Sequence, residues 1–373
     1  MKKIVINALA YKQNSSGIGV MIRELFEPYT QNTHRFCQVL LPNDGPPFNG
    51  GNETETIRIP YKHEQGMKRI FFQTFQMGRQ YCKDTVLLTT DSKVPFFLPK
   101  SCTLIPLITD LAVFRMPEAY QASRVLWWRF QYQYLKRHAA HYFAISEYTK
   151  RDIQDILHVP EERITVLYDA CSQAMRPVMD ETELQSLRKR YRLSEQFILF
   201  VGNSNPRKNL RRLMEAFDCV KDRTDLPHQL IIAGEQGWKF SRDHALAGLK
   251  HAEDIRFIGF VPDEEMPALY SAAEVFAFPT LYEGFGIPVL EAQACGTPVL
   301  TSNCTALPEV GGDAAIYADP CDVDDIAEKM EQLIINPVLR VELQKKGFEN
   351  VKRFSWEVSA RKLDEWIEGN VTE

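Results

Sequence analysis

With 373 residues, of which 45% are hydrophobic and 25% charged, the chain has the composition of a folded protein and not of a disordered one. This length favours two domains over one, and no apolar run is long enough to cross a bilayer as a helix. The net charge of −5 is unevenly divided, because residues 1–170 hold 21 Lys and Arg against 16 Asp and Glu while the remainder carries −10.

Apolar strand-like runs alternate with helix-like segments, which predicts an α/β protein with parallel, doubly wound sheets. The predicted strands are Ile4–Leu9, Val39–Leu41, Val86–Thr89, Thr103–Ile108, Tyr142–Ile145, Thr165–Leu167, Phe197–Val201, Gln229–Ala233, Arg256–Ile258, Val275–Phe278, Pro298–Thr301 and Ala315–Tyr317. The series restarts at Phe197, after a polar stretch from about Cys171 to Glu195 that is predicted to be a linker. We therefore expect two Rossmann-like domains, residues 1–172 and 173–354.

A glycine pair, Gly17 and Gly19, lies in a predicted loop between the first strand and an amphipathic segment, Val20–Tyr29. The third glycine of a dinucleotide-binding fingerprint is missing here. A nicotinamide cofactor is therefore poorly supported.

The aromatic segment Tyr120–Tyr134 carries Trp127, Trp128 and Phe130 beside several basic residues. An amphipathic helix on a membrane surface is one interpretation. We favour the other, in which the apolar residues form the packed face of an ordinary domain helix. The basic first half of the chain predicts an anionic ligand or surface, although solvated charges explain it equally well. Nucleic acid is not predicted, since no recognisable binding module is present.

Two cations, Arg207 and Lys208, lie between the strand Phe197–Val201 and the next predicted helix. At such a position a guanidinium and an ammonium group are well placed to hold a diphosphate. An exposed turn with two solvated cations would contain the same residues, and on this segment alone we would favour that explanation.

Two carboxylates, Glu283 and Glu291, flank a glycine-rich bend. Gly284 and Gly286 let the backbone approach a ligand, and the helix that Pro288 begins would offer amide donors to an anion. Carboxylates also accept hydrogen bonds from hydroxyl groups, so the combination predicts a ligand with both phosphate and hydroxyl groups, such as a sugar nucleotide. A solvated helix glutamate beside a tight turn is the plain alternative.

The run from Phe276 to Val299 resembles the signature of the retaining glycosyltransferases of family 4, whose E-x7-E element matches Glu283 and Glu291. A match of this length is far more specific than a short motif. The resemblance covers nearly the whole chain and is strong from residue 197 to residue 320. It implies the GT-B fold, in which an acceptor-binding and a donor-binding Rossmann-like domain face a cleft and a final helix, about residues 355–373, crosses back to the first domain.

The same resemblance implies residue roles in binding a nucleoside-diphosphate sugar. Lys208 matches the pyrophosphate-binding lysine of the family, and Arg207 is the candidate to replace an arginine that many relatives have where this chain has Asn203. Glu291 is expected to bind the ribose and Glu283 the hexose near the reaction centre. The other expected donor contacts are Gly17, Gly19, Val261 in the loop that recognises the nucleobase, Gly284, Phe285, Gly286 and Ile287.

One segment departs from the family pattern, since many relatives carry His-Asp where this chain has Thr109 and Asp110. Thr109 cannot act as a base near neutral pH. Asp110 is expected either to orient hydroxyl groups of donor or acceptor or only to cap the next helix. The D-x-D pair Asp322 and Asp324 is better explained by helix capping than by metal binding, so neither a metal site nor a cofactor is predicted.

The sequence thus predicts a retaining, metal-independent hexosyltransferase that acts on a glycan or lipid-linked glycan acceptor in bacterial surface polysaccharide synthesis. The resemblance implies that a donor phosphate oxygen accepts the proton of the acceptor hydroxyl group, a route that needs no protein nucleophile. A GT-B sugar-nucleotide epimerase and a noncatalytic nucleotide-sugar-binding partner are the alternatives. Eight cysteines without a C-x-x-C pair favour reduced thiols in the cytoplasm. Peripheral attachment to the inner face of the membrane, through the basic first half, is a further expectation.

Overall fold

The computed structural model describes residues 2–12, 17–62, 64–90, 94–237 and 241–371. The chain divides into two compact units, residues 1–169 with 355–373 and residues 170–354. Each unit is built around one sheet in which all paired strands are parallel. The predicted α/β class with two doubly wound sheets is therefore confirmed.

The sheet of the first unit has the strand order β3-β2-β1-β4-β5-β6-β7. Its strands are β1 (Lys3–Asn7), β2 (Cys37–Pro42), β3 (Thr54–Ile59), β4 (Thr85–Thr89), β5 (Thr103–Ile108), β6 (Tyr142–Ala144) and β7 (Ile164–Val166). The helices between them are α1 (Gly17–Asn32), α2 (Gly66–Phe71), α3 (Met77–Tyr81), α4 (Ala112–Arg115), α5 (Ala122–His138) and α6 (Glu147–Leu157). A π-helical turn, Phe72–Gln76, joins α2 to α3.

Two local predictions for this unit are wrong. The strand β3 is missing from the predicted series, because it lies at the edge of the sheet and Ile59 is its one buried residue, which leaves little apolar signal. The helix α1 begins at Gly17 and not at Val20, so Gly17 and Gly19 lie in its first turn and not in a loop.

The sheet of the second unit has the order β10-β9-β8-β11-β12-β13, which is the order 3-2-1-4-5-6 of a Rossmann fold. Its strands are β8 (Phe197–Val201), β9 (Gln229–Ala233), β10 (Ile255–Gly259), β11 (Val275–Phe278), β12 (Val299–Ser302) and β13 (Ala315–Ala318). The helices of this unit are α7 (Glu181–Tyr191), α8 (Leu210–Arg223), α9 (Arg242–Leu246), α10 (Met266–Ala272), α11 (Ile287–Ala294), α12 (Leu307–Gly311), α13 (Val323–Ile335) and α14 (Pro337–Val351).

The stretch predicted to be a linker contains the helix α7. Asp180 caps this helix through a hydrogen bond from the Thr182 amide, and Leu184 and Leu187 are its buried residues. Two leucines among mostly polar residues give too narrow an apolar stripe for the sequence to indicate a packed helix.

The last helix, α15 (Trp356–Asn370), returns to the first unit and packs against α1. Leu363 and Ile367 form part of its buried face. The Ser359 hydroxyl group donates a hydrogen bond of 2.6 Å to the Tyr168 carbonyl oxygen, which holds the helix beside the segment that follows β7.

Candidate active site

The strand order of the second sheet reverses between β8 and β11, and open α/β sheets bind ligands where such a reversal occurs. Lys208 follows β8, and Glu283 follows β11. The topology therefore brings together a cation and a carboxylate that are 75 residues apart in sequence.

Glu283 accepts hydrogen bonds from both Arg207 and Lys208, the two cations that the sequence placed at a diphosphate site. Lys208 Nζ lies 2.8 Å from its Oε1 atom, and Arg207 Nη1 lies 3.4 Å from its Oε2 atom. Lys208 and Glu283 are almost completely buried, with 8% and 6% of their surface exposed. The Lys208 ammonium also lies 4.6 Å from the centre of the Phe278 ring, and Arg207 Nη1 donates to the Tyr282 carbonyl oxygen at 3.2 Å. Among these three side chains the two cations outnumber the one carboxylate, as binding of an anionic ligand requires.

The protonation state of Glu283 follows from the same contacts. Burial acts to raise the pKa of Glu283, but the positive charges of Arg207 and Lys208, together with hydrogen bonds to the carboxylate, outweigh it and bring that pKa below its usual value. Glu283 is therefore ionised near neutral pH, and its oxygens are hydrogen-bond acceptors for cations or hydroxyl groups.

The loop that carries the cations is bonded directly to the segment after β11. Arg207 and Lys208 lie in a 3₁₀ turn, Pro206–Lys208, that ends at Asn209 in the left-handed conformation. The Asn209 side-chain amide donates to the carbonyl oxygens of Pro279 and Pro320, at 2.8 and 2.6 Å. These bonds hold the cations in position independently of Glu283.

The glycine-rich bend requires glycine at position 286. Gly286 has a φ angle of +108°, and a Cβ atom there would lie 2.7 Å from Leu307 Cδ2. The helix α11 begins at the next residue with Pro288 in its first turn, as predicted from the sequence. Its amino-terminal end adds a partial positive charge beside Glu283.

Glu291 lies in the second turn of α11 and accepts a hydrogen bond of 2.7 Å from the Tyr270 hydroxyl group. Burial raises the pKa of Glu291 to about 7, with a further contribution from the negative charge of Asp263, while the Tyr270 hydrogen bond acts to lower it. Asp263 begins the turn after β10, two residues after the buried Val261. Tyr270 is not among the predicted site residues, because its contact with Glu291 depends on the packing of α10 against α11.

The remaining predicted donor contacts of this unit differ in what they can offer. Asn203 is exposed, and its Oδ1 atom accepts a hydrogen bond from the side chain of Asn205 at 2.7 Å. Phe285 is buried and packs edge to face against Phe354, so only its backbone can contact a donor. Gly284 is buried in the bend, and Ile287 is partly exposed.

Three predicted site residues belong to the first unit. Gly17 and Gly19 lie in the first turn of α1, and Asp110 follows β5. Asp110 Oδ1 accepts a hydrogen bond from the Ala112 amide at 3.0 Å, just before α4, whose N-cap residue is Leu111. Its carbonyl oxygen accepts a further bond from the Tyr132 hydroxyl group at 3.1 Å.

The D-x-D pair is a helix cap, as predicted. Asp322 Oδ1 accepts hydrogen bonds from the amides of Asp324 and Asp325 at the start of α13. In the part of the chain that the structure describes, one cluster has the geometry of metal ligands, and its members are His251, Glu253 and Asp254. None of the predicted site residues belongs to it.

Comparison with known proteins identifies relatives of the chain. The model of the family described as glycosyl transferases group 1 matches residues 184–350. O-antigen chain mannosyltransferase B of Escherichia coli is 36% identical over 265 residues, which are 70% of this chain and 69% of that protein. The serotype-specific mannosyltransferase WbdA of Escherichia coli is 32% identical over 219 residues, which are 57% of this chain but only 27% of that much longer protein.

Solved structures show the same fold. A sucrose-phosphate synthase from Thermosynechococcus elongatus superimposes with a TM-score of 0.76 at 18% identity, and the superposition covers 99% of both chains. The predicted GT-B class of two Rossmann-like domains is thereby confirmed. Among the described residues, every helix is too short or too polar to cross a membrane.

Proposed function

We propose, since this chain belongs to the family of glycosyl transferases group 1, that it transfers a hexosyl group from a nucleoside-diphosphate sugar to an acceptor hydroxyl group with retention of the anomeric configuration. The observation that carries this proposal is the contact of Lys208 and Arg207 with Glu283 at the point where the strand order reverses. Negative charge builds on a departing diphosphate, and cations already held in place lower the barrier to its departure.

The two glutamates have different roles in this proposal. When a diphosphate binds Lys208 and Arg207, the Glu283 oxygens become available to accept hydrogen bonds from the hexose hydroxyl groups. Glu291, with Tyr270 as its partner, accepts hydrogen bonds from the ribose hydroxyl groups. The loop around Val261 contacts the nucleobase through its backbone.

Without a protein nucleophile, retention requires the acceptor to attack from the face that the diphosphate leaves. A phosphate oxygen of the donor then accepts the proton of the acceptor hydroxyl group, so the threonine at position 109 need not act as a base. Positive charge comes from Lys208, Arg207 and the amino-terminal end of α11, and we propose that the reaction proceeds without a metal ion.

The donor sugar and the acceptor are proposed from the relatives. Two of them are mannosyltransferases by name, and one is named for the O-antigen chain. We therefore propose a mannosyl donor and a bacterial polysaccharide product, with a glycan or lipid-linked glycan as acceptor. The enzyme would then work in the cytoplasm at the inner face of the membrane.

The test is transfer from nucleoside-diphosphate mannoses, with uridine, guanosine or thymidine as the nucleoside, to a saccharide acceptor in the presence of a chelator. We expect an α-linked product from an α-configured donor, shown by the one-bond carbon–proton coupling at the anomeric carbon in the NMR spectrum. The variant Lys208→Met should reduce kcat by about 10²–10³, the loss typical of removing one charge-stabilising donor. The variant Lys345→Met, which removes an exposed lysine of the same unit, is the matched control.

Three results would contradict the proposal. A β-linked product would exclude retention, and conversion of the donor without an acceptor would indicate an epimerase. Stabilisation by a nucleoside diphosphate without turnover of any acceptor would indicate a noncatalytic binding protein, since a ligand stabilises the native state whether or not it reacts.

A further inference from the structure

Six large apolar side chains of the first unit are between 37% and 81% exposed to solvent, and they lie on three neighbouring segments. They are Met67, Phe71, Phe75, Phe97, Leu126 and Phe130. The prediction that the apolar residues of the aromatic segment form a packed face is wrong for Leu126 and Phe130. The face of α5 that packs in the core includes Val125, Tyr132 and Leu135, whereas Leu126 and Phe130 lie outside it.

Ring contacts join these segments into one surface. Phe71 and Phe75 have ring centres 5.1 Å apart, and Phe75 lies 6.3 Å from Phe97. Phe96 bridges to α5, because its ring centre lies 6.0 Å from Phe75 and 5.3 Å from Phe130. Segments that are far apart in sequence therefore converge on a continuous exposed aromatic area.

Two aliphatic side chains extend this area. Met67 precedes Phe71 by four residues on α2, and Leu126 precedes Phe130 by four residues on α5. Residues with this spacing are neighbours on one face of a helix.

The backbone beneath the surface is fixed. The Phe96 amide donates to the Thr74 carbonyl oxygen at 2.9 Å, and the Tyr134 hydroxyl group donates to the Phe96 carbonyl oxygen at 2.9 Å. A Cβ atom at Gly78 would lie 2.5 Å from the Phe97 carbonyl oxygen, so glycine permits the close approach of the two segments. The exposed rings are therefore presented by ordered backbone.

The three segments are strongly basic. Residues 66–81, 94–100 and 121–138 together contain eight Lys and Arg residues and no Asp or Glu. Arg79 lies directly over the Phe97 ring, with its guanidinium carbon 4.6 Å from the ring centre. Arg137 follows Phe130 by two helical turns, and Arg129 follows Leu126 by three residues, so each lies near an exposed apolar side chain of α5. Lys68 is exposed and follows Met67 directly in sequence. The partner of this surface must be anionic.

The chemistry of the surface selects one anionic partner. A second copy of the chain, docked through the same surface, would place these four basic side chains against four others, and like charges repel each other. A single-stranded nucleic acid would engage the rings and the cations but gives Met67 and Leu126 no partner. A bilayer satisfies both parts, because basic side chains meet the headgroups while apolar side chains enter the boundary of the acyl chains.

We propose that this surface, the docking patch, binds the interface of an anionic bilayer. It consists of Met67, Lys68, Phe71, Phe75, Arg79, Phe97, Leu126, Arg129, Phe130 and Arg137. The proposal rests on the membrane location given under the proposed function and identifies the residues that produce it. It does not depend on the transfer chemistry.

Co-sedimentation of the full chain with phosphatidylcholine vesicles, with or without phosphatidylglycerol, tests the proposal. We expect binding to the anionic vesicles that weakens as salt is added, because salt screens the attraction. Each basic residue near an anionic surface contributes about a fivefold gain in partitioning, so Arg129→Gln with Arg137→Gln should cost about 25-fold. Phe71→Ser with Phe130→Ser should cost about tenfold or more, since it removes the inserted rings.

Matched controls lie on the second unit. Lys345→Gln with Lys352→Gln removes the same charge from exposed positions, and Met179→Ser with Val338→Ser removes exposed apolar side chains. Both controls should bind vesicles as the wild type does. A thermal shift with nucleoside diphosphates, measured on every variant, tests the donor site separately and should not change.

Four results would overturn the proposal. The first two are unchanged vesicle binding by the docking-patch variants and equal binding to neutral and anionic vesicles. The third is that a single-stranded RNA oligonucleotide binds the protein more tightly than the vesicles do and displaces them. The fourth is that the wild type forms a dimer and the Phe71→Ser, Phe130→Ser variant does not.

Discussion

Replacing Glu291 by glutamine should make the unfolding free energy less sensitive to pH. Burial raises the pKa of Glu291 from 4.5 to about 7 in the folded protein. Between these values the unfolded chain has already released its proton while the folded protein keeps it, so raising the pH favours unfolding. The stabilisation is complete below pH 4.5 and is lost as the pH rises through about 7.

The size of the effect follows from the two pKa values. A difference of one pKa unit corresponds to about 1.4 kcal/mol, so the full loss is about 3.5 kcal/mol, of which about 2.5 kcal/mol falls between pH 5 and pH 8. Glutamine keeps an oxygen that accepts the hydrogen bond from Tyr270 but does not titrate. The unfolding free energy of Glu291→Gln minus that of the wild type should therefore be about 2.5 kcal/mol larger at pH 8 than at pH 5.

Urea unfolding of both proteins at the two pH values measures this difference, and the comparison cancels the titration of all other groups. Tyr270→Phe is the informative second variant, because it removes the hydrogen bond that acts to lower the pKa of Glu291. It should move the loss of stability to higher pH, and the Tyr270→Phe, Glu291→Gln double variant should show no such loss. If wild type and Glu291→Gln differ in unfolding free energy by the same amount at pH 5 and at pH 8, this account of the site is refuted.

Two further substitutions test the arrangement around the bend. Lys208→Met leaves the Glu283 carboxylate buried with one cation fewer, so it should cost about 3–5 kcal/mol of unfolding free energy. Lys208→Met with Glu283→Gln should recover most of this stability, while its kcat stays at least as low as that of Lys208→Met. A double variant no more stable than Lys208→Met would show that the ion pair is not the cause. Gly286→Ala should cost about 2 kcal/mol or more and weaken nucleoside-diphosphate binding, because alanine disfavours the positive φ angle and its Cβ would collide with Leu307. Gly369→Ala in α15, where a Cβ atom meets open space, is its control and should be neutral or stabilising by about 0.5–1 kcal/mol in the same thermal unfolding assay.

The parts of the fold that were predictable are those with a strong local signal. The strand β11 and the start of α11 follow from an apolar run and from Pro288 after a glycine, and neither depends on distant residues. The edge strand β3 and the helix α7 were missed because each has few buried residues. Their structure is decided by neighbouring elements, which no short window of sequence contains.

The candidate site shows the same division. The residue types at Lys208, Glu283 and Glu291 indicated a ligand with phosphate and hydroxyl groups, because their chemistry is local. The direct pairing of Lys208 with Glu283 is a consequence of strand order, since residues after β8 and β11 meet only when these strands are adjacent. The Tyr270 hydrogen bond likewise joins α10 to α11, and its effect on the pKa of Glu291 has no counterpart in the sequence.

The aromatic helix α5 shows why hydrophobic pattern alone misassigns a surface. A helix that is apolar on two sides gives the same composition whether its second side meets protein or another partner. Exposure of Leu126 and Phe130 distinguishes the two cases, and it can be known only once the neighbouring segments are placed. The absence of carboxylates from residues 66–81, 94–100 and 121–138 was visible in the sequence from the start. The structure adds that these three segments lie side by side and form one surface. A surface with basic residues and no carboxylates from these segments is a reason to expect an anionic partner there.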